Sequence, residues 1–318
     1  MNKIIKRLDL AHIFITRKCN LNCKHCYTNS DSSVDAILPY IFWENVVRQL
    51  KDLQIRRIHI EGGEALLHPD LDKIIMLTTE LKIKNVLLVT NGILATRERL
   101  TLLKELGLKR IAISLDSLDE KINNALRPNS YEYALKAIRN AIELGFSTRI
   151  SCCLNRKNIK DAKSFVIEAY NMGVRTLNFD WFVAVGRGDL VFDDYGITEA
   201  DNEILGCFEA DILDITENAK YKNFNVFIDL PDWYSSRNSF LTNDTKRTRY
   251  LNCDAISRQV SINEIGNVYP CFIFAYGDGF MGNLKDESLD NIIGSSEFDC
   301  CLKCPIKASG HYFYQLIF

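Results

Sequence analysis

The stretch TRKCNLNCKHCYTNS, residues 16–30, concentrates three thiols on one short segment directly after an apolar run. The three cysteines follow a Cys-x3-Cys-x2-Cys spacing and are Cys19, Cys23 and Cys26. Three thiolates on one loop can ligate three irons of a four-iron cubane, which leaves the fourth iron open to a small molecule. The spacing also permits a zinc ion with His25 or His59 as the fourth ligand, or three unrelated thiols.

Short apolar runs alternate with amphipathic stretches from this loop to about residue 185. Six runs rich in β-branched or aromatic residues predict strands, at residues 12–16, 57–61, 85–90, 110–116, 148–154 and 176–185. Helical spacing predicts five intervening helices, near residues 39–53, 70–82, 97–106, 131–145 and 158–172. Because each crossover between parallel strands needs a helix, the pattern predicts an α/β fold with its chemistry at the carboxyl ends of the strands. A partial or full α/β barrel and an open doubly wound sheet both fit.

The composition is that of an ordinary globular chain of 318 residues, with 47% hydrophobic and 25% charged residues. The net charge of -2 offers no field that attracts nucleic acid, and no apolar run approaches the roughly 18 residues that span a membrane. We therefore expect a cytoplasmic protein without nucleic-acid or membrane partners. Eleven cysteines are unusual in that compartment, where thiols stay reduced, so clustered cysteines indicate metal binding or redox chemistry.

Motifs at three further strand ends accompany the cysteine loop. They are Gly62-Gly63-Glu64 after the second predicted strand, Thr90-Asn91-Gly92 after the third and Ser114-Leu115-Asp116 after the fourth. Two glycines allow a close backbone approach, and a carboxylate there can pair with an ammonium group. In this order and spacing, the motifs resemble those of the radical S-adenosylmethionine (SAM) superfamily. The resemblance favours that family's partial (β/α)6 barrel over the open sheet.

The resemblance implies a cluster, a cofactor and a reaction. Cys19, Cys23 and Cys26 are expected to hold a [4Fe-4S] cluster whose open iron binds SAM. The residues expected to contact SAM are His25 (adenine), Gly62, Gly63 and Glu64 (amino group), Ser114 or Asp116 (ribose hydroxyls) and Arg127 (carboxylate). Asn91 is expected to contact SAM as well, without an assigned part of the cofactor. An electron donor such as flavodoxin or ferredoxin is expected to reduce the cluster, which cleaves SAM to a 5′-deoxyadenosyl radical that abstracts hydrogen from the substrate.

A second group of cysteines lies near the end of the chain, at Cys253, Cys271, Cys300, Cys301 and Cys304. Four of these thiolates can fully ligate one cluster, and zinc fits the same four ligands. The segment resembles the SPASM auxiliary-cluster domain in its shortened twitch form, because no cysteine follows Cys304. The resemblance implies one auxiliary [4Fe-4S] cluster on Cys253, Cys271, Cys301 and Cys304. Cys300 is then a spare thiol, a substitute for Cys301, or a hydrogen-atom donor to a substrate radical.

The character of the sequence changes after residue 186 and again at residue 253. We therefore predict three segments: a radical SAM partial barrel over 1–190, a connecting segment over 191–252 and an auxiliary-cluster domain over 253–318. Gly186-Arg187-Gly188 predicts either a simple turn or a backbone nest for an anion. Cys207, on the apolar face of a helix predicted over 199–219, is expected in the core.

The leading functional hypothesis is a radical SAM oxidoreductase or maturase that modifies a ribosomally synthesised peptide. Only 18 residues precede Cys19, so we expect no fused peptide-recognition module, and peptide binding then needs a separate recognition protein or none. One alternative is a small-molecule dehydrogenase or epimerase acting on a sugar or cyclitol in natural-product biosynthesis. A non-catalytic metal-binding protein is the other, but the intact Gly-Gly-Glu and Ser-Leu-Asp stretches argue against it.

Overall fold

The computed structural model describes seven ranges of the chain: 8–217, 219–221, 224–231, 248–251, 258–277, 279–295 and 311–317. The chain divides into two compact units. The first comprises Met1–Asn22, Thr28–Ala112 and Asp254–Cys304, and the second comprises Cys23–Tyr27, Ile113–Cys253 and Pro305–Phe318. None of the described helices is both long and apolar enough to cross a membrane.

The described ranges contain strands and helices in alternation. The strands, in chain order, are β1 (Leu10–Phe14), β2 (Arg57–Glu61), β3 (Asn85–Thr90), β4 (Arg110–Ser114), β5 (Ser147–Leu154), β6 (Thr176–Trp181), β7 (Asn225–Pro231), β8 (Thr248–Leu251), β9 (Gln259–Ile262), β10 (Asn267–Tyr269), β11 (Gly282–Asn283) and β12 (His311–Ile317). The α-helices are α1 (Tyr40–Asp52), α2 (Leu71–Glu80), α3 (Arg97–Glu105), α4 (Glu120–Leu126), α5 (Tyr131–Glu143), α6 (Ala162–Asn171), α7 (Phe192–Tyr195), α8 (Asn202–Glu217) and α9 (Leu289–Ser295).

In the first unit, strands from the start of the chain pair with strands from near its end. β1 lies parallel to β2 on one side and parallel to β9 on the other, and β2 lies parallel to β3. β10 is antiparallel to both β9 and β11. The register places Leu10 opposite Gln259, so the segment after residue 258 extends the sheet beyond the first strand of the chain.

Helix α1 links the two parts of the first unit. Its buried residues repeat at intervals of three and four, which forms one apolar stripe, and are Trp43, Val46, Val47 and Leu50. On another position of α1, the Gln49 Oε1 atom accepts a hydrogen bond from the Leu289 backbone N–H at 2.7 Å. This bond satisfies one of the amide groups that the first turn of α9 leaves without an intrahelical partner.

The second unit is built around parallel strands with helices between them. β5, β6 and β7 are parallel neighbours, and β12 is antiparallel to both β7 and β8. β4 contains the point where the chain passes from the first unit into the second. Helix α5 buries one small apolar stripe, formed by Ala134, Ala137, Ile138 and Ala141.

The α/β fold predicted from the sequence is confirmed, and each predicted strand and helix between residues 12 and 185 is present. Two differences are local. β6 ends at Trp181, before its predicted end at residue 185, and a 3-10 turn follows at Gly186–Val191. Helix α4 was not predicted, because its seven residues are too few to show a helical period. Its signal is Asp119, whose carboxylate accepts from the backbone N–H groups of Lys121 and Ile122 and so caps the helix.

The expectation that Cys207 is buried is wrong, since its side chain is exposed. The buried face of helix α8 is a different one and includes Leu205, Phe208 and Ile212. These positions recur at helical spacing, and residue 207 lies about 100° around the helix from Phe208. Apolar composition alone did not distinguish the two faces of this helix.

The backbone of residues 16–18 approaches the glycine pair after β2 very closely. The Gly63 N–H donates to the Thr16 carbonyl at 2.8 Å, and the Glu64 N–H donates to the Lys18 carbonyl at 2.9 Å. A Cβ atom on Gly63 would lie 2.5 Å from the Lys18 carbonyl oxygen, and one on Gly62 would lie 2.5 Å from that of Thr16. Glycine is therefore needed at both positions so that the strand end can hold the beginning of the cysteine loop.

We expect Gly63→Ala to lower the free energy of unfolding by about 1–3 kcal/mol, because backbone atoms must shift to admit the new methyl group. Gly294→Ala, in α9 of the same unit, is the matched control, since a Cβ there meets nothing within 4 Å. The control should be neutral or raise stability by up to about 1 kcal/mol through helix propensity. Urea unfolding followed by circular dichroism measures both, and equal midpoints for the two variants would contradict the close approach.

Candidate cluster and cofactor site

Cys19, in the first unit, is held by hydrogen bonds at both its backbone and its sulfur. Its N–H donates to the Asp31 carbonyl at 2.9 Å. Its Sγ atom accepts from the Leu21 N–H at 3.4 Å and from the Asn91 side-chain amide at 3.9 Å. N–H groups aimed at a sulfur stabilise its thiolate form, which is the form that binds metal.

Glu64 lies nearby in the first unit as a buried carboxylate with almost all of its acceptor positions in use. Its Oε1 atom accepts from the Leu66 N–H at 3.0 Å and from the Thr90 hydroxyl at 2.9 Å. Its Oε2 atom accepts from the Asn91 N–H at 2.8 Å. Burial raises the pKa of Glu64, while these hydrogen bonds lower it and oppose the effect of burial. A carboxylate offers about four acceptor positions, so one at Oε2 is left for a further donor.

Asn91 connects this carboxylate to the cysteine loop. While its backbone N–H binds Glu64, its side-chain Nδ2 atom donates to the Asn20 Oδ1 atom at 2.7 Å. Its Oδ1 atom accepts from the Ile93 N–H at 3.0 Å. The predicted cofactor residue Asn91 therefore positions the loop around Cys19, a role that its place at a strand end did not reveal.

In the second unit, Gly186-Arg187-Gly188 packs against the other two cysteines. The Arg187 Nε atom donates to the Cys23 carbonyl at 2.8 Å, and the Arg187 backbone N–H donates to the Cys26 carbonyl at 3.0 Å. Gly186 has a φ of 60°, and a Cβ atom there would lie 2.5 Å from the Cys26 carbonyl oxygen. The motif, for which a turn and an anion nest were both open, thus forms a turn that holds the cysteine loop.

The buried carboxylate of Asp116 forms an ion pair with Arg127 in the second unit. The Arg127 Nε atom lies 2.7 Å from Asp116 Oδ2, while Asp116 Oδ1 accepts from the Cys153 N–H at 2.9 Å. Burial lowers the pKa of Arg127, but the negative charges of Asp116 and Cys23 outweigh it and the net shift is upward. Because both Asp116 oxygens are engaged, the carboxylate positions Arg127; its predicted contact with ribose hydroxyls stays a prediction.

His25 joins the same cluster of side chains. Its Nε2 atom lies 3.7 Å from Asp116 Oδ2, and its ring centroid lies 6.3 Å from that of Phe182. Burial lowers the pKa of His25 to about 4, and the positive charges of Arg127 and Arg187 act in the same direction. The imidazole is therefore neutral near pH 7, which suits the predicted packing against an adenine ring.

Two of the remaining predicted site residues, Ser114 and Cys271, lie in the described ranges. Ser114 ends β4 and is buried, and its predicted contact with the ribose stays a prediction. Cys271 is buried and directly precedes a 3-10 turn at Phe272–Phe274. The predictions for Cys253, Cys300, Cys301 and Cys304 lie outside the described residues.

The donor chemistry of the loop fits an iron–sulfur cluster. Cys19, Cys23 and Cys26 are all free of disulfide bonds. The pKa of Cys23 is raised to about 11, with burial as the largest cause. The positive charges of Arg127 and Arg187 act in the opposite direction, towards a lower pKa. A bound metal removes such a proton by supplying positive charge directly to the sulfur. His59, a possible fourth ligand of a zinc site, instead contacts Glu61, with 3.7 Å between Nδ1 and Oε1.

Two family models match the chain in sequence order. The model of the radical SAM superfamily matches residues 13–166, which include the cysteine loop, Glu64, Asn91 and Arg127. The model of the SPASM iron–sulfur cluster-binding domain matches residues 253–312, which include all five C-terminal cysteines.

Curated relatives and solved structures agree with these models. The subtilosin biosynthesis protein AlbA of Bacillus subtilis is 25% identical over 88% of this chain, and the match spans 58% of AlbA. The mycofactocin maturase MftC of Mycobacterium tuberculosis is 28% identical over 94% of this chain and 74% of MftC. The crystal structure of Streptococcus suis SuiB has a TM-score of 0.74 at 19% identity and covers 93% of this chain and 68% of SuiB.

The SuiB likeness confirms the partial-barrel fold, and the two family models match the chain in the order predicted from the sequence. AlbA is considerably longer, since the chain spans less than two thirds of it. The chain belongs to the radical SAM superfamily and carries a C-terminal SPASM iron–sulfur domain.

Proposed function

We propose that this chain cleaves SAM reductively and uses the resulting radical to mature a ribosomally synthesised peptide. The observation that carries the first part is the hydrogen-bonded connection from Glu64 through Asn91 to Cys19. It joins a predicted ligand of the SAM amino group to a predicted cluster ligand within one unit. Such an arrangement serves a cofactor that contacts both, as SAM does when it coordinates a cluster.

Cys19, Cys23 and Cys26 would hold the [4Fe-4S] cluster. When bound and reduced by one electron, this cluster supplies the reductive cleavage of SAM to methionine and a 5′-deoxyadenosyl radical, which takes a hydrogen atom from the substrate. The protein keeps the three thiols in place through the backbone contacts at Cys19 and through Arg187. Flavodoxin or ferredoxin is the class of donor that would provide the electron.

The other polar groups would bind SAM by complementary charge. The remaining acceptor position of Glu64 Oε2 suits the ammonium group, and Arg127, oriented by Asp116, suits the carboxylate. Neutral His25 would pack against adenine, and Ser114 would bind a ribose hydroxyl. Glu64 and Arg127 are held by hydrogen bonds before the cofactor arrives, which lowers the ordering cost of binding.

The C-terminal segment would hold one auxiliary [4Fe-4S] cluster on Cys253, Cys271, Cys301 and Cys304. This assignment rests on the SPASM match and on the number of thiols in the sequence. Cys300 would be a spare thiol. The more specific hypothesis is that it donates a hydrogen atom to a substrate radical. The segment boundaries at residues 190 and 252 remain part of this proposal.

Support for a peptide substrate comes from the relatives. AlbA takes part in the biosynthesis of a bacteriocin, MftC is named a maturase, and SuiB has been solved with its precursor peptide SuiA. The test uses anaerobically reconstituted, dithionite-reduced protein with SAM and short precursor peptides encoded by neighbouring open reading frames. We expect 5′-deoxyadenosine together with a peptide of changed mass, or with deuterium gained from deuterated water. Turnover of a sugar or cyclitol with none of the peptides would reject the peptide assignment.

The two clusters are expected to respond differently to loss of one ligand. Cys23→Ala should abolish formation of 5′-deoxyadenosine, because SAM then lacks an intact site of reduction. Cys271→Ala should leave that cleavage within a few-fold of wild type and block the modified product. Chromatographic measurement of 5′-deoxyadenosine and product under single-turnover conditions separates the two, and an equal loss in both variants would refute this division of roles.

Arg187→Ala should reduce the iron bound by the N-terminal cysteines, because the Cys23 carbonyl loses a charge-assisted hydrogen bond worth about 1.5–3 kcal/mol. Arg139→Ala, at an exposed position of α5, is the matched control and should load normally. Iron and sulfide per chain after reconstitution provide the measurement. The Cys271→Ala background removes one auxiliary ligand and isolates the N-terminal contribution. Unchanged iron in Arg187→Ala would show that the bond does not support the loop.

A further inference from the structure

The strand register of the first unit brings three metal-ligating side chains to one face of the sheet. β1 and β2 are parallel neighbours, and His12 lies directly opposite His59. Glu61 follows His59 by two positions, so its side chain points to the same face. Ile58 and Ile60, which alternate with His59 and Glu61 along β2, are fully buried on the opposite face. The alternation of the strands therefore produces a His–His–Glu group from segments more than forty residues apart in sequence.

The three side chains are close enough to share one ion. His12 Nδ1 lies 2.6 Å from Glu61 Oε1, and His59 Nδ1 lies 3.7 Å from the same oxygen. The two imidazole rings meet edge to face, with centroids 4.9 Å apart. Within the part of the chain that the structure describes, this is the one group of three such residues whose ligand atoms all lie within 4.8 Å of one another.

Within the described ranges of the chain, the basic side chains that contact the Glu61 carboxylate are the two histidines. The side chain of Glu61 is 13% exposed and that of His12 is 7% exposed. Among the described residues, no lysine or arginine nitrogen lies within 4.0 Å of the Glu61 carboxylate, whose ion-pair partners are the two histidines. A carboxylate removed from water is costly unless positive charge compensates it. A divalent cation between the three groups provides that charge.

The surroundings of His12 also suit a metal ligand. Its Nε2 atom is buried and has no hydrogen-bond partner among the described residues. The ring of Phe272 packs against the His12 ring, with centroids 5.0 Å apart. An apolar neighbour limits access of water, which strengthens the interaction between an ion and its ligands.

We propose that His12, His59 and Glu61 form a site for a single divalent transition-metal ion of the Zn²⁺ class, with no cysteine among its ligands. Two imidazoles and one carboxylate are the protein ligands of many zinc sites, and three ligands leave a fourth position for a substrate oxygen or nitrogen atom. Binding widens the 2.6 Å separation between His12 Nδ1 and Glu61 Oε1 to about 3.3 Å, the edge of a tetrahedron with bonds of about 2.0 Å.

The test measures zinc and iron in the same samples of the cluster-loaded, full-length protein after anaerobic dialysis against Zn²⁺. Wild type should retain one zinc per chain in addition to its iron. His59→Gln and Glu61→Gln should bind zinc more than tenfold more weakly while their iron content stays at the wild-type level, which shows that they fold. His68→Gln is the matched control, because His68 is buried in the same unit with an unpartnered Nε2 atom and lies outside the group.

X-ray absorption at the zinc edge identifies the ligands. We expect nitrogen and oxygen at about 2.0–2.1 Å without sulfur at about 2.3 Å. Sulfur in the first coordination shell would assign the zinc to cysteines and overturn the proposal. Failure of the loaded wild type to retain zinc, or equal zinc in Glu61→Gln and wild type, would overturn it as well. In those cases the group is an ordinary ion pair between His12 and Glu61.

Discussion

A carboxylate removed from water must have its oxygens hydrogen-bonded. Glu64 is such a carboxylate, so the first unit must supply hydrogen-bond donors to it. The end of β3 meets it with the Thr90 hydroxyl and the Asn91 N–H. The same Asn91 then extends its side chain to Cys19. The group that satisfies the carboxylate thus also orients the first cysteine. Loss of the carboxylate would leave buried donors unpaired and release the loop together with the proposed SAM site.

In the second unit, the charge that must be compensated is positive and belongs to Arg127. The Arg127 side chain is only 15% exposed, and Asp116 compensates its charge at 2.7 Å while also accepting a backbone hydrogen bond from β5. Arg187 completes the arrangement by binding the backbone of the cysteine loop at Cys23. Both arginines lower the pKa of the Cys23 thiol against the effect of burial. Positive charge that holds the protein together therefore also favours the thiolate that a cluster requires.

Much of the fold follows from local sequence signals, and less of the site does. Strand and helix periodicity predicted the strands and α-helices up to residue 185 except the short helix α4, because burial of one face repeats within each longer element. The strand-end motifs were also visible, but their contacts were not. The predicted contact of Gly62 and Gly63 with SAM stays a prediction, and their close approach to the backbone of residues 16–18 was not visible in the sequence. The roles of Arg187 and His12 depend on contacts between distant segments, which only the tertiary fold and the strand register establish.

The pairing of β1 with β9 has a consequence for synthesis of the protein. Leu10 leaves the ribosome roughly 250 residues before its partner Gln259, a delay of tens of seconds at about 5–20 residues per second. During that interval one edge of β1 offers unpaired amide and carbonyl groups to other nascent chains. Chaperone binding to this edge, or slow translation after it, would therefore govern how much of the newly made protein escapes aggregation.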